Sequence, residues 1–112
     1  MRQYCVYLLT NFTNSVIYTG MTGDLITRVR QHRERWAQGF TKRYAVWKMV
    51  YFEQYADPLS AIAREKQIKA GPRRRKVDLI EAENPTWRDL YQDLTDERDE
   101  VSRIASSLRS SQ

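Results

Sequence analysis

The chain has one cysteine, Cys5, and one histidine, His32, among its 112 residues. A lone thiol closes no internal disulfide, and one Cys with one His is too few for a structural zinc. Any metal must therefore be held mainly by oxygen. Long apolar runs are also missing. None approaches the ~20 residues of a membrane-spanning helix, and the N-terminal MRQYCVYLLTN meets polar residues too early for the apolar region of a secretory signal. The expectation is a cytoplasmic protein with no membrane association. No internal repeat of fixed period is visible, which sets aside a solenoid.

What is present is the composition of a folded domain. The hydrophobic share is 41%, with seven tyrosines and three tryptophans, enough for one modest core at this length. The net charge is +5, unevenly spread. Residues 24–76 carry 14 Lys/Arg against 5 Asp/Glu, a net of +9, and residues 77–112 carry 4 against 9, a net of −5. A basic balance alone fits ribosomal proteins and chaperones equally well. Its concentration in the middle of the chain points to a polyanion bound there.

The order of elements reads as α+β. Residues 4–9 (YCVYLL) and 16–18 are aromatic and β-branched, and the turn-forming stretch 10–14 between them makes a β-hairpin. Asp24 N-caps a basic helix, LITRVRQHRERWAQ, that Gly39 stops. A strand over 46–55 is predicted to complete a three-stranded antiparallel sheet with the hairpin. Asp57-Pro58 opens a second helix that ends at Gly71, and 73–83 forms a third, ended by Asn84-Pro85. A short turn or helix then packs Trp87 and Leu90. Residues 1–94 form the expected domain, flanked by helices. Residues 95–112 form a charged, serine-rich tail, flexible or weakly helical through Val101, Ile104 and Leu108.

Two tyrosines, Tyr7 ending Cys5-Val6-Tyr7 and Tyr18 opening Tyr18-Thr19-Gly20, are separated by ten residues. Strand alternation puts Tyr7 on the face of Cys5 and Leu9, and Tyr18 on that of Val16. If the strands pair, both phenols reach one surface. With the basic helix and a second helix bearing one carboxylate in a basic setting, the chain resembles a small stand-alone bacterial domain of the GIY-YIG endonuclease superfamily, of the UPF0213 type. The first triplet is CVY here in place of GIY and the second YTG in place of YIG. Both tyrosines and the second glycine match. The resemblance covers about residues 4–91, including Gly39 to Tyr44 and the Asn84-Pro85 ending before Trp87.

The resemblance implies a catalytic set of Tyr7, Tyr18, Arg28, His32 and Glu65. Each has a physical rationale, since phosphodiester hydrolysis needs an activated water, neutralised phosphoryl oxygens and help for the leaving oxygen. Tyr7, its phenol lowered by Arg28 and metal, is expected to deprotonate the water, with Tyr18 orienting it. Arg28 and His32 stand at i and i+4, on one helical face, to grip phosphate and relay a proton. Glu65 is expected to hold one Mg²⁺ or Mn²⁺ with waters and substrate phosphate. Nucleic-acid contacts are assigned to Gly20, Lys42, Arg43, Tyr44, Lys66, Lys69, Arg73, Arg74, Arg75 and Asn84.

Taken singly, each of these has a plainer reading. Strand tyrosines are mostly core, a charged-helix histidine is usually solvated, and Glu65 beside Lys69 is an ordinary i,i+4 partner. Their joint order favours an endonuclease acting on single-stranded, branched or damaged DNA in repair or recombination, because the chain is too short for a separate sequence-reading domain. The alternative is a non-catalytic module binding DNA or RNA on the same fold. No small-molecule cofactor is expected, and the oligomeric state is a monomer or weak dimer.

Overall fold

The computed structural model describes residues 3–37 and 45–98. The hairpin forms as expected, β1 (Tyr4–Thr10) pairing antiparallel with β2 (Ile17–Thr22). β3 (Lys48–Tyr55) pairs antiparallel with the other edge of β1, giving the order β2-β1-β3. Helix α1 (Leu25–Ala37) connects β2 to β3, and α2 (Pro58–Ala70), α3 (Arg73–Glu83) and α4 (Tyr91–Arg98) follow. The domain is thus the expected α+β arrangement of a three-stranded antiparallel sheet flanked by helices.

The central position of β1 explains its composition. It is covered on both faces, so every residue from Cys5 to Thr10 is buried, and the strand reads as an unbroken run of apolar and aromatic types. Val6 and Leu8 point to one layer, where they pack with Val50, Tyr51, Ala61, Ile68 and Ile80 beneath α2 and α3. Cys5, Tyr7 and Leu9 point to the other, with Leu25 and Val29 of α1 and Met49. Leu90, Tyr91 and Leu94 close that second layer. A register shift on β3 pairs Leu8 with Tyr51 but Leu9 with Met49. The extra residue, Val50, lies beside Tyr51 in the first layer, as a β-bulge allows.

Helix ends follow local chemistry. Asp57 Oδ2 accepts from Ser60 N at 2.8 Å and Pro58 supplies the first turn of α2, a cap worth ~1 kcal/mol. Asn84 ends α3, its N–H bonding Ile80 O at 2.7 Å. Trp87 then takes φ 57°, a left-handed conformation uncommon for an aromatic residue. Its Nε1 donates to Glu81 Oε2 at 2.9 Å while its ring packs against the first layer.

Three boundaries differ from expectation by more than one residue. β2 extends to Thr22, because its pairing with Cys5 continues past the triplet. β3 begins at Lys48 instead of residue 46. The stretch after Trp87 forms α4, which runs to Arg98, beyond the change in composition at Thr95. Gly39, Lys42, Arg43, Tyr44, the side chain of Trp36 and the tail residues Val101, Ile104 and Leu108 lie outside the described residues. Among the described residues no helix is long and apolar enough to cross a membrane.

Candidate active site

The hairpin register decides where the tyrosines go. Tyr7 faces Gly20 and Leu9 faces Tyr18, and directly opposed residues of an antiparallel pair share a face. Both phenols therefore lie on the side covered by α1. From α1, His32 joins them: its ring lies 5.3 Å from that of Tyr18 and 6.3 Å from that of Tyr7, and the two phenol rings are 6.2 Å apart. Their tilts of 46° to 67° fit aromatic packing without face-to-face stacking.

Gly20 makes this approach feasible. A Cβ there would stand 2.5 Å from Cζ and Oη of Tyr7 and 2.9 Å from Cε2 of Tyr18. No side chain fits without moving a ring. Gly20 is itself buried, which corrects its assignment as a nucleic-acid contact: its part is the space it leaves for Tyr7.

Helix α1 is held so that its polar face meets this pair. Leu25 and Val29 anchor it in the second layer, and Thr27 N donates to Asp24 Oδ1 at 3.3 Å at its start. At its other end Arg33 Nη1 pairs with Asp89 Oδ2 at 2.6 Å, its guanidinium 4.4 Å from the centre of the Tyr91 ring. Asp89 Oδ1 in turn accepts from Met49 N at 3.2 Å, so one carboxylate links α1, β3 and the segment before α4. Arg28, His32 and Arg35 then fall at helical spacing on one side of α1. With Gln31 they line a cavity of about 70 Å³, room for a few waters. Gln31 and Arg35 are absent from the sequence-predicted set. Their i+3 and i+7 offsets from Arg28 would have found them.

The protonation states are set by burial. Tyr7 is 1% exposed. Desolvation pushes its phenol up to about 12, and the hydrogen bond and charge of Arg28 offset only part of that rise. From the protein's own groups the net shift is upward, because losing water costs the phenolate more than one partly solvated guanidinium returns. His32 moves the other way. Burial first, then the charges of Arg28 and Arg35, lower its pKa, so the imidazole is neutral at pH 7. Its Nε2 is buried with no hydrogen-bond partner.

Tyr7, Tyr18, Arg28 and His32 therefore meet at one place. Glu65 stands on α2, which packs along β1 and β2. Its side chain is 20% exposed and pairs with Lys69 Nζ at 3.3 Å. Among the described residues no group of three His, Cys, Asp or Glu gathers where it could hold a metal. A lone carboxylate suits a hard ion such as Mg²⁺, which keeps several waters and takes oxygens from its substrate.

The other cations spread along the α2–α3 side. Lys66 and Lys69 are exposed. Arg73 reaches the hairpin turn, Arg74 pairs with Asp78 at 3.3 Å, and Arg75 and Lys76 line a cavity of about 260 Å³ with Arg64, Gln67, Ile68 and Leu79. Asn84 requires a second correction. It is 6% exposed, its Nδ2 donates to Val50 O and Arg88 O, and its Oδ1 accepts from Arg88 N. An amide so occupied fastens the end of α3 to β3 and has little left for nucleic acid.

Comparison with known proteins agrees with this fold. The family model described as the GIY-YIG catalytic domain matches residues 3–78. A UPF0213 protein of Haloquadratum walsbyi is 30% identical over 81 residues, covering 72% of this chain and 91% of its own. One from Clostridium perfringens is 33% identical over 79 residues, covering 70% and 84%. The solution structure of a UPF0213 protein from Bacillus halodurans has the same fold, with a TM-score of 0.51 at 23% identity, covering 80% of this chain and 95% of that one.

Proposed function

Since the chain belongs to the GIY-YIG family, an endonuclease superfamily, we propose that it is a metal-dependent endonuclease that hydrolyses DNA phosphodiesters. Its substrate in this reading is single-stranded or branched DNA met in repair or recombination. The observation that carries the proposal is the convergence of Tyr7, Tyr18 and His32 around an unpartnered imidazole nitrogen, beside the cationic cavity of Arg28 and Arg35.

The protonation states assign the roles. A phenol near 12 holds its proton at neutral pH, so Tyr7 donates a hydrogen bond to the attacking water or a phosphoryl oxygen. His32, neutral and with Nε2 free, accepts the water's proton. In this reading His32 takes the part of base that the resemblance gives to Tyr7. Tyr18 orients the water, and Arg28 neutralises charge on the phosphoryl oxygens as it builds up. Glu65 would hold the Mg²⁺ or Mn²⁺, which when bound supplies Lewis-acid stabilisation of the phosphate.

The test incubates the protein with labelled single-stranded, duplex, flap and four-way-junction DNA in Mg²⁺, Mn²⁺ or EDTA. His32→Gln and Glu65→Ala serve as controls. Cleavage that requires metal and both side chains supports the reading. Cleavage that survives both substitutions assigns it to another site or a contaminant, and binding without cleavage returns the protein to a non-catalytic nucleic-acid-binding module.

A further inference from the structure

Phe12 and Leu59 are the exposed large hydrophobic side chains among the described residues, each 76% exposed. Phe12 stands in the turn that joins β1 to β2, and that turn is firmly built. Asn11 is 3% exposed. Its Oδ1 accepts from Val16 N at 3.0 Å and its Nδ2 donates to Ser15 Oγ at 2.9 Å. Thr10 Oγ1 donates to Asn14 Oδ1 at 3.0 Å, and Asn14 takes φ 61°, its N–H bonded to Asn11 O at 3.1 Å. The backbone that presents the phenyl ring is therefore set before any ligand arrives, so little conformational entropy is lost on binding.

The same turn is tied to the most basic segment of the chain. Arg73 Nη2 donates to Asn14 O at 2.7 Å and Nη1 to Ser15 O at 3.0 Å. Both acceptors are neutral, so the guanidinium keeps its charge. Arg74, Arg75 and Lys76 follow in the first turn of α3, which holds no acidic residue. Positive charge at a helix start opposes the helix dipole, so apart from the Arg74–Asp78 pair at 3.3 Å these cations do little for the helix. An outward aromatic ring fastened beside cations is the arrangement that binds unpaired nucleic acid, with the base on the ring and phosphates on the cations.

We infer that Phe12 is a stacking platform for one unpaired base of a bound strand whose phosphates run along Arg73 to Arg75. The inference rests on the nucleic-acid reading of the active site and sharpens it toward single strands, because paired bases hide their faces. Phe12 stands three positions along the chain from Leu9, the partner of Tyr18. At ~3.3 Å per residue that is at most about 10 Å.

The test measures binding by fluorescence anisotropy in EDTA, using a labelled single-stranded oligonucleotide, the same backbone carrying abasic sites, and a blunt duplex. Phe12→Ala is expected to weaken single-strand binding about tenfold and to leave abasic-strand and duplex binding within about twofold. Phe12→Trp should restore single-strand affinity. Unchanged single-strand affinity in Phe12→Ala, or an equal loss on the abasic strand, overturns the platform while the nucleic-acid reading stands. If the wild type binds none of the three, that reading falls and the platform with it. Self-association that sedimentation shows to depend on Phe12, with DNA affinity unchanged, reassigns the ring to an interface between copies.

Discussion

The sheet carries two polar clusters, one on each face, and each contains two tyrosines and an arginine. On the α2 side, Glu53 accepts from Arg64 at 2.9 and 3.0 Å, from Tyr55 at 2.7 Å, and from Tyr51 in a short hydrogen bond. Burial pushes the Glu53 carboxyl up, but these donors more than offset it and hold it below the usual carboxylate range. On the α1 side, Tyr7, Tyr18 and His32 pack ring to ring, and the imidazole nitrogen finds no partner. The first cluster is closed and joins β3 to α2. The second is open, and a buried polar atom left unsatisfied costs free energy that a fold does not carry without reason. Saturation of hydrogen bonds separates the closed cluster from the one proposed to be catalytic, although their residue types are nearly the same.

The contrast is broken most sharply by exchanging what each cluster loses. His32→Gln should lower the cleavage rate by about 10²- to 10⁴-fold with the urea midpoint nearly unchanged, measured on the best DNA substrate. A comparable loss of stability would mean that His32 is a packing residue. Glu53→Ala should do the reverse. It strands Arg64 and two phenols and costs about 2–4 kcal/mol, read from urea denaturation, with residual activity in proportion to the folded fraction. A stability within 0.5 kcal/mol of wild type, roughly that of a surface change, would erase the distinction.

Gly20→Ala tests whether the open cluster needs its close approach. The added methyl meets Tyr7 at 2.5 Å, so about 1–3 kcal/mol of stability is lost by overpacking and cleavage falls with it. Retention of both would show that the rings shift freely. The smallest effect is at alkaline pH. Tyr7 has a folded pKa raised to about 12 from the ordinary 10.0, so it binds its proton more tightly when folded. Its stabilisation is complete below pH 10 and lost as pH rises through 12. The wild type should therefore lose ~1–2 kcal/mol more than Tyr7→Phe across that interval, as denaturation at pH 9.5 and 11.5 would show. Parallel pH profiles would mean that the Tyr7 phenol is not desolvated in solution.

Much of the fold is legible in sequence because it rests on local rules. The aromatic hairpin, the Asp24 and Asp57 caps and the stops at Gly71 and Asn84 all follow from residue types at fixed offsets. The placement of Tyr7 and Tyr18 on one face needs only the period of two and a hairpin. The cavity lining of Arg28, Gln31, His32 and Arg35 needs only the period of a helix, although Gln31 and Arg35 have no distinctive chemistry to draw attention to them. The resemblance to the GIY-YIG family added Glu65, which no periodicity marks.

What the sequence by itself determined is the set of elements and which residues share a face, since both follow from backbone geometry and neighbours a few positions apart. Only the tertiary structure decided the chemical state of those residues. Burial beneath α1 raises the phenol of Tyr7, and leaves His32 neutral and unpartnered. Packing against β3 encloses Asn84, and the ring of Tyr7 covers Gly20. These outcomes depend on desolvation and on contacts between segments far apart in the chain, and neither quantity is written in any local stretch of residues.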